Sequence, residues 1–316
     1  MYDRFGERME IGIFGLSTDD EVKLLKKRIE QKGVKATVID FHDFPANVHM
    51  HFDEQKILLE GKNLLHMHAF YIRQLGYFWP VPQIELTKEQ WEQYYGKYNN
   101  LLTNERENLS FKHSMIRMLD NEKLVVNPYD SFVFHRMKPY QFYLFQKHGL
   151  RIASFVSGSA TSIVKKYPVS SMVYKPLAGG AEVVMAQDFL KTAGGSLEKR
   201  AVLFQEQVKG DDIRVYALEN GIIGSAKLLH GPQVDSRVEQ LGVEVITVPL
   251  EVKETALKAM ELLGMKFSGI DFIRLQDGSY TLLECNPSPM FFGFEKMSKI
   301  PVSKKLIEYL MKNGGS

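Results

Sequence analysis

The stretch "SGIDFIRLQDGSYTLLECNPSPM", residues 268–290, holds two apolar runs on either side of Asp277-Gly278. Asp-Gly between such runs predicts a β-hairpin closed by a two-residue type I′ turn. That turn would pair Gln276 with Ser279, Ile273 with Leu282 and Asp271 with Glu284. Successive side chains of a strand alternate between faces, so Glu284 and Asn286 share one face and Cys285 points to the other. Two carboxylates facing each other among apolar neighbours repel unless a positive charge lies between them. Three oxygen donors, Asp271, Glu284 and Asn286, suit a hard divalent cation such as Mg²⁺. A slipped register, or one carboxyl protonated in a polar cluster, would explain the same residues without a metal.

A second hairpin repeats the pattern with the sign reversed. In "QEQVKGDDIRVYALENGIIGSAKLL", residues 205–229, Asn220-Gly221 separates two apolar runs. A type I′ turn there pairs Glu219 with Ile222 and sets Arg214 opposite Lys227. Ile213, Val215 and Ala217 would then share an apolar face with Leu228, Ala226 and Gly224. Two facing cations would be relieved by a polyanion, and with the acid pair they make the two halves of a nucleoside-triphosphate site. Taken alone, the basic pair also fits a solvated surface ribbon.

The chain of 316 residues exceeds one typical domain. A hydrophobic content of 44%, a charged content of 25% and a net charge of +2 describe an ordinary globular protein and not a dedicated nucleic-acid binder. A single cysteine, Cys285, excludes intrachain disulfides and suits a reducing cytosol, so a cytoplasmic location is expected. Its place on the apolar side of the hairpin, with no basic neighbour, makes it a core residue and not a nucleophile. No secretory leader or membrane-length apolar run is legible, since "MYDRFGERMEIGIFG" turns polar at once.

"MEIGIFGLSTDDEVKLLKKRIEQKGVKATVIDF", residues 9–41, predicts a β-α-β unit of a parallel sheet, its helix capped near Ser17 or Thr18 and ended by Gly33. Gly12 and Gly15 do not complete a dinucleotide fingerprint. His42, His49, His51, His66 and His68 follow, with "HMH" occurring twice; without companion cysteines or acidic spacing they read as structural. A polar helix spans about 88–118, and "VVNPYDSF" reads as a strand leaving the first domain. "SFVFHRMKPYQFYLFQKHGL" is expected to be one helix ending at Gly149, with Lys138 near its start. Lys175 lies in the apolar strand "SMVYKPL", where an ammonium needs an anion, and Gly179 and Gly180 follow in a turn whose N–H groups could cover phosphates.

Lys138, "VYKPLAGG", "LFQEQVKGDDIRVYAL" and "GIDFIRLQDGSYTLLECNPSP", in that order, resemble the ATP-grasp superfamily, and most of all its RimK-like carboxylate-amine ligases and peptide-maturing ligases. The resemblance covers roughly residues 131–312. It implies an α/β chain of α+β lobes: an N-terminal α/β domain at 1–130, an ATP-grasp small lobe at 131–205 and a large lobe at 206–316. It further implies that Lys138 and Lys175 hold the α- and β-phosphates and that Gly179 and Gly180 belong to the loop closing over them. Gln205, Glu206 and Val208 would read adenine and Asp212 would bind ribose. Arg214 would serve the γ-phosphate and the acyl-phosphate, where the hairpin count adds Lys227 as a second catalytic cation, and Asp271, Glu284 and Asn286 would hold Mg²⁺ or Mn²⁺. Met290 stands where close relatives carry glycine, and Asp235 and Arg237 resemble an Asp-x-Arg element near the acceptor side.

The function so implied is ATP-dependent, ADP-forming ligation of an amino acid or peptide carboxylate to an amine acceptor, itself an amino acid, peptide or small molecule, through an acyl-phosphate. A kinase phosphorylating a hydroxyl, and a nucleotide-binding module without turnover, are the alternatives. No nucleic-acid or membrane partner is expected. The sequence leaves the substrates and the oligomeric state open, a homo-oligomer included.

Overall fold

The computed structural model describes residues 9–41, 44–53, 55–75, 87–178, 182–193, 199–231 and 240–315. His42, Gly179, Gly180, Asp235 and Arg237 lie outside the described residues. The chain divides into two compact units, Met1–Tyr129 with Ile307–Ser316, and Asp130–Leu306. Residues 307–316 thus group with the N-terminal unit and not with the segment 206–306 that precedes them. No helix among the described residues is long and apolar enough to cross a membrane.

In the first unit, β1 (Glu10–Phe14), α1 (Asp20–Gln31) and β2 (Lys35–Ile39) form the expected parallel β-α-β. The helix cap is Asp19, whose Oδ1 accepts the Val22 N–H at 3.1 Å. A carboxylate at the positive end of the helix is a better cap than the hydroxyls of Ser17 or Thr18 two and one residues earlier. Val22, Leu25 and Ile29, on one helical face, are buried. A small antiparallel sheet follows, of β3 (Met50–Phe52), β4 (Ile57–Leu59) and β5 (Lys62–Asn63). Next come β6 (Ala69–Ile72), α2 (Lys88–Glu122) and β7 (Leu124–Val126), and the parallel sheet runs β2-β1-β6-β7. His66 ends a 3-10 turn at Leu64–His66, so the second "HMH" is not extended. His68 is buried with Nε2 2.9 Å from the Met311 carbonyl, a structural contact within this unit.

The second unit opens with α3 (Tyr129–His135) and α4 (Lys138–Lys147) in place of the single expected helix. Pro139 lies in the first turn of α4, where its missing N–H costs nothing, so the helix restarts there. Then follow β8 (Phe155–Ser159), α5 (Ala160–Lys166), β9 (Met172–Lys175), β10 (Val184–Met185), α6 (Ala186–Ala193) and β11 (Ala201–Glu206). Their sheet, β10-β9-β11-β8, buries Ile163, Phe189, Val202 and Phe204 on one face. The larger antiparallel sheet has β12 (Asp211–Leu218), β13 (Gly221–His230), β14 (Gln240–Ile246), α7 (Leu250–Leu262) over one face, β15 (Phe267–Arg274) and β16 (Tyr280–Asn286). Its strand order is β14-β13-β12-β15-β16, and α8 (Phe292–Ser298) and the start of α9 (Val302–Asn313) complete the unit. Alternate residues Ile213, Val215 and Ala217 of β12 and Ile270 and Phe272 of β15 pack with Val252, Ala256 and Met260 of α7 and Phe142 and Phe145 of α4. The residues between them project to the opposite face, where the candidate site lies.

Candidate active site

The turn between β15 and β16 differs from the two-residue turn predicted. Leu275 N–H donates to Ser279 O at 2.8 Å and Gly278 N–H to Leu275 O at 3.0 Å, with Gly278 at φ 83°. This is a three-residue loop ending in a left-handed residue, which glycine adopts without strain. It moves the register by one, so Ile273 meets Thr281 and Leu282 meets Phe272 on the core face. A β-bulge between Asp271 and Phe272 then returns the ladder to Asp271 opposite Glu284, Ile270 opposite Cys285 and Gly269 opposite Asn286. The acid pair is therefore as expected, by way of two irregularities that cancel.

The second hairpin has no such cancellation. Leu218 pairs with Gly221 around Glu219-Asn220, and Glu219 takes the positive φ of 51°. With a bulge between Tyr216 and Ala217, Arg214 faces Ala226 and Lys227 faces Ile213. The predicted opposition of Arg214 and Lys227 is thus corrected: the turn one residue earlier than Asn220-Gly221 moves the register by two, and the bulge returns it by only one. Lys227 turns to the other face, 2.6 Å from Asp211, which also binds Arg274 at 2.5 Å. It does not join Arg214.

What faces Arg214 instead is acid. On β15 its partner is Asp271, and the guanidinium grips that carboxylate in a fork, Nε to Oδ1 at 2.5 Å and Nη2 to Oδ2 at 3.2 Å. Glu284 is bound by Lys138, whose side chain is only 5% exposed. Asn286 Nδ2 donates to Asp271 Oδ2 at 3.2 Å and Glu284 Oε1 at 3.4 Å, so the three predicted metal ligands converge. Burial works to raise the pKa of Glu284, but Lys138, Lys175 and His135 outweigh it and hold the carboxyl well below its usual range. Asp271 goes the other way: burial raises it, Glu284 adds to the rise, and Arg214 opposes both. Arg214 in turn loses charge stability to burial and more than regains it from Asp271.

Two carboxylates and an amide make an oxygen donor set fit for Mg²⁺, with the Asn286 carboxamide turned to present Oδ1. Among the described residues no group of three His, Cys, Asp or Glu side chains is placed to hold a metal.

Lys175 on β9 is buried, its Nζ 5.8 Å from the centre of the Phe142 ring. Gln205 at the end of β11 is buried, with Nε2 lacking a hydrogen-bond partner among the described residues, while Glu206 beside it is exposed and Val208 half-buried. Asp212 lies on the site face, 2.5 Å from His230 Nε2.

Several side chains at the site carry no sequence signal. His135 Nδ1 lies 3.3 Å from the Cys285 carbonyl, and burial, then Lys138, lowers its pKa to about 4. Gln141 Oε1 accepts the Cys285 N–H at 3.3 Å. Ser268 Oγ donates to Asn286 O at 3.0 Å, and Tyr216 OH donates to Met290 O. Gly269 is required by close approach, since a Cβ there would stand 2.6 Å from Pro289 Cβ and 3.2 Å from Arg214 Nη1. Cys285 is fully buried and burial pushes its thiol up, as suits a core residue.

Comparison with known proteins places part of the chain beside a known family. Residues 155–310 match the family model of the RimK-like ATP-grasp domain. That segment, just under half of the chain, is similar to RimK-like ATP-grasp domains. Lys138, His135 and Gln141 precede the matched residues and join the domain through β16. A tetrahydromethanopterin:alpha-L-glutamate ligase of Methanocaldococcus jannaschii is 31% identical over 101 residues, 32% of this chain and 34% of that protein. A probable alpha-L-glutamate ligase of Pseudomonas savastanoi pv. phaseolicola is 26% identical over 168 residues, 52% of this chain and 50% of that protein. The match thus spans half or less of these relatives. Among solved structures, the ATP-grasp ligase PsnB complexed with minimal precursor is 25% identical with a TM-score of 0.79, covering 96% of this chain and 99% of that one. The macrocyclase MdnC bound with precursor peptide MdnA, from Microcystis aeruginosa, shares the fold at 22% identity and a TM-score of 0.72, over 96% and 100%.

Proposed function

We propose that the protein is an ATP-dependent, ADP-forming carboxylate-amine ligase working through an acyl-phosphate. The observation that carries this reading is the convergence of Asp271, Glu284 and Asn286 on one sheet face, with Arg214 and Lys138 bound to the two carboxylates. Hydroxide is a poor leaving group, so a free carboxylate does not acylate amines at neutral pH. Attack of the carboxylate on the γ-phosphorus of ATP replaces it with phosphate, and ADP leaves. The amine then adds to the acyl carbon, loses a proton and expels phosphate. Catalysis is positioning and charge neutralisation, with no protein nucleophile.

In this reading Lys138 and Lys175 bind phosphate oxygens, Arg214 stabilises charge at the transferred phosphoryl group, and Asp212 meets the ribose. Gln205, Glu206 and Val208 line the adenine side, and Gly179 and Gly180 cover the phosphates. Asp271, Glu284 and Asn286 would hold Mg²⁺, which supplies further neutralisation of the triphosphate. Mn²⁺ should substitute, and a cytoplasmic location supplies both nucleotide and metal. The names of the relatives direct the first assays to L-glutamate and to precursor-type peptides as carboxylate or amine. ADP release on adding such substrates, with an acyl-hydroxamate trapped by hydroxylamine, is the expected result. ADP and a phosphorylated hydroxyl compound without hydroxamate would make it a kinase, and no ADP release at all would leave a binding module.

A further inference from the structure

We propose that His135 and Gln141 are positioning residues that set the metal ligands Glu284 and Asn286 by clamping the two peptide groups of the residue between them. The inference rests on the metal reading above. β16 is an edge strand, so one side of it has no strand partner in the sheet. Edge N–H and C=O groups that are buried still need partners. At Leu282 the N–H donates to Arg151 O at 2.9 Å. The bulge puts the next outward-pointing residue three positions on, at Cys285, and there side chains take over. The Cys285 N–H donates to Gln141 Oε1, and His135 Nδ1 meets the Cys285 carbonyl, both at 3.3 Å. A carbonyl only accepts, so Nδ1 carries the proton.

These two groups belong to different peptide planes. The N–H is part of the plane that follows the Glu284 Cα, and the C=O part of the plane that precedes the Asn286 Cα. Holding both fixes ψ of Glu284 and φ of Asn286, the torsions that aim the two ligands. His135, Lys138 and Gln141 lie three residues apart on α3 and α4, so one short stretch supplies both clamps and the cation on Glu284. Hydrogen bonds that orient ligands in this way typically alter metal affinity by roughly 10- to 100-fold when removed.

The test uses isosteres in the full chain. In His135→Asn the amide Nδ2 stands in for Nδ1, whereas in His135→Gln the amide reaches the Nε2 position and leaves the carbonyl unpaired. Mn²⁺ affinity is read by electron paramagnetic resonance in the presence of ADP, and thermal melting without metal or nucleotide is read beside it. His135→Gln and Gln141→Leu should each weaken Mn²⁺ about 10- to 100-fold. His135→Asn should keep affinity close to the parent, while melting separates the two His135 variants little. Equal loss in both His135 variants, or no loss in either, overturns the inference. If the parent protein with ADP binds no Mn²⁺, the metal reading itself falls, and that outcome is separate from the other two.

Discussion

At Arg214 and Lys138 the folded chain has already matched each carboxylate of the proposed metal site with a cation. Arg214 is a fork and not merely a charge, since it makes two bonds to Asp271. Arg214→Lys keeps the charge and loses the fork. With a preorganised donor typically contributing about 2.7–4 kcal/mol, kcat for ADP release should fall ~10²–10³-fold. A fall of less than tenfold would remove Arg214 from the transition state. Glu284→Gln removes a proposed metal ligand and also strands Lys138, whose side chain is 5% exposed. Breaking one side of a buried pair costs about 3–5 kcal/mol. Urea unfolding should show that loss, and Lys138→Met in the same chain should recover much of it, a coupling a double-mutant cycle measures directly. If the two losses simply add, the ion pair contributes nothing to the fold.

In the hairpins, the two glycines of β15 and its turn have separable roles. Gly278 at φ 83° has open space around the position a Cβ would take, so Gly278→Ala costs only backbone strain, about 1–2 kcal/mol. Gly269→Ala drives a methyl against Pro289 and Arg214 at 2.6 and 3.2 Å, where overpacking costs typically ~1–3 kcal/mol and displaces the arginine proposed to act at the phosphoryl group. Both should melt lower, and only Gly269→Ala should slow ADP release. A slowed Gly278→Ala would mean the turn and the site are coupled through the ladder. The same hairpins show what the sequence could and could not reveal. Apolar alternation and Asp-Gly placed both strands and the pair Asp271–Glu284. The loop length and the bulge that offset each other are set by packing of Leu282 and Phe272 into the core, which no local pattern announces. In β12–β13 the turn fell one residue early, and Lys227 left the site for Asp211. His135, Gln141 and Ser268 were illegible because their partners are backbone atoms far along the chain, and backbone atoms leave no residue code. The break at Pro139, by contrast, follows from the proline itself.

Across the chain as a whole, the residues argued to hold nucleotide and metal all fall in Asp130–Leu306, one compact unit with its own apolar clusters. The first unit has a separate parallel sheet and supplies none of them. Ligand that binds only the folded form stabilises by mass action, about 2.7 kcal/mol at one hundred times Kd. For a unit of this size each kcal/mol moves Tm by roughly 2–4 °C, so a non-hydrolysable ATP analogue with Mg²⁺ should raise the second unit's transition by about 5–11 °C. Calorimetry on the full chain reads it, and EDTA should take away the part of the shift that depends on metal. The first unit's transition should stay where it was. A single transition that moves as a whole would show that the two cores unfold together. A chain whose melting ignores nucleotide and metal alike would leave the converging carboxylates as a structural ion-pair network, with Arg214 and Lys138 as their permanent partners.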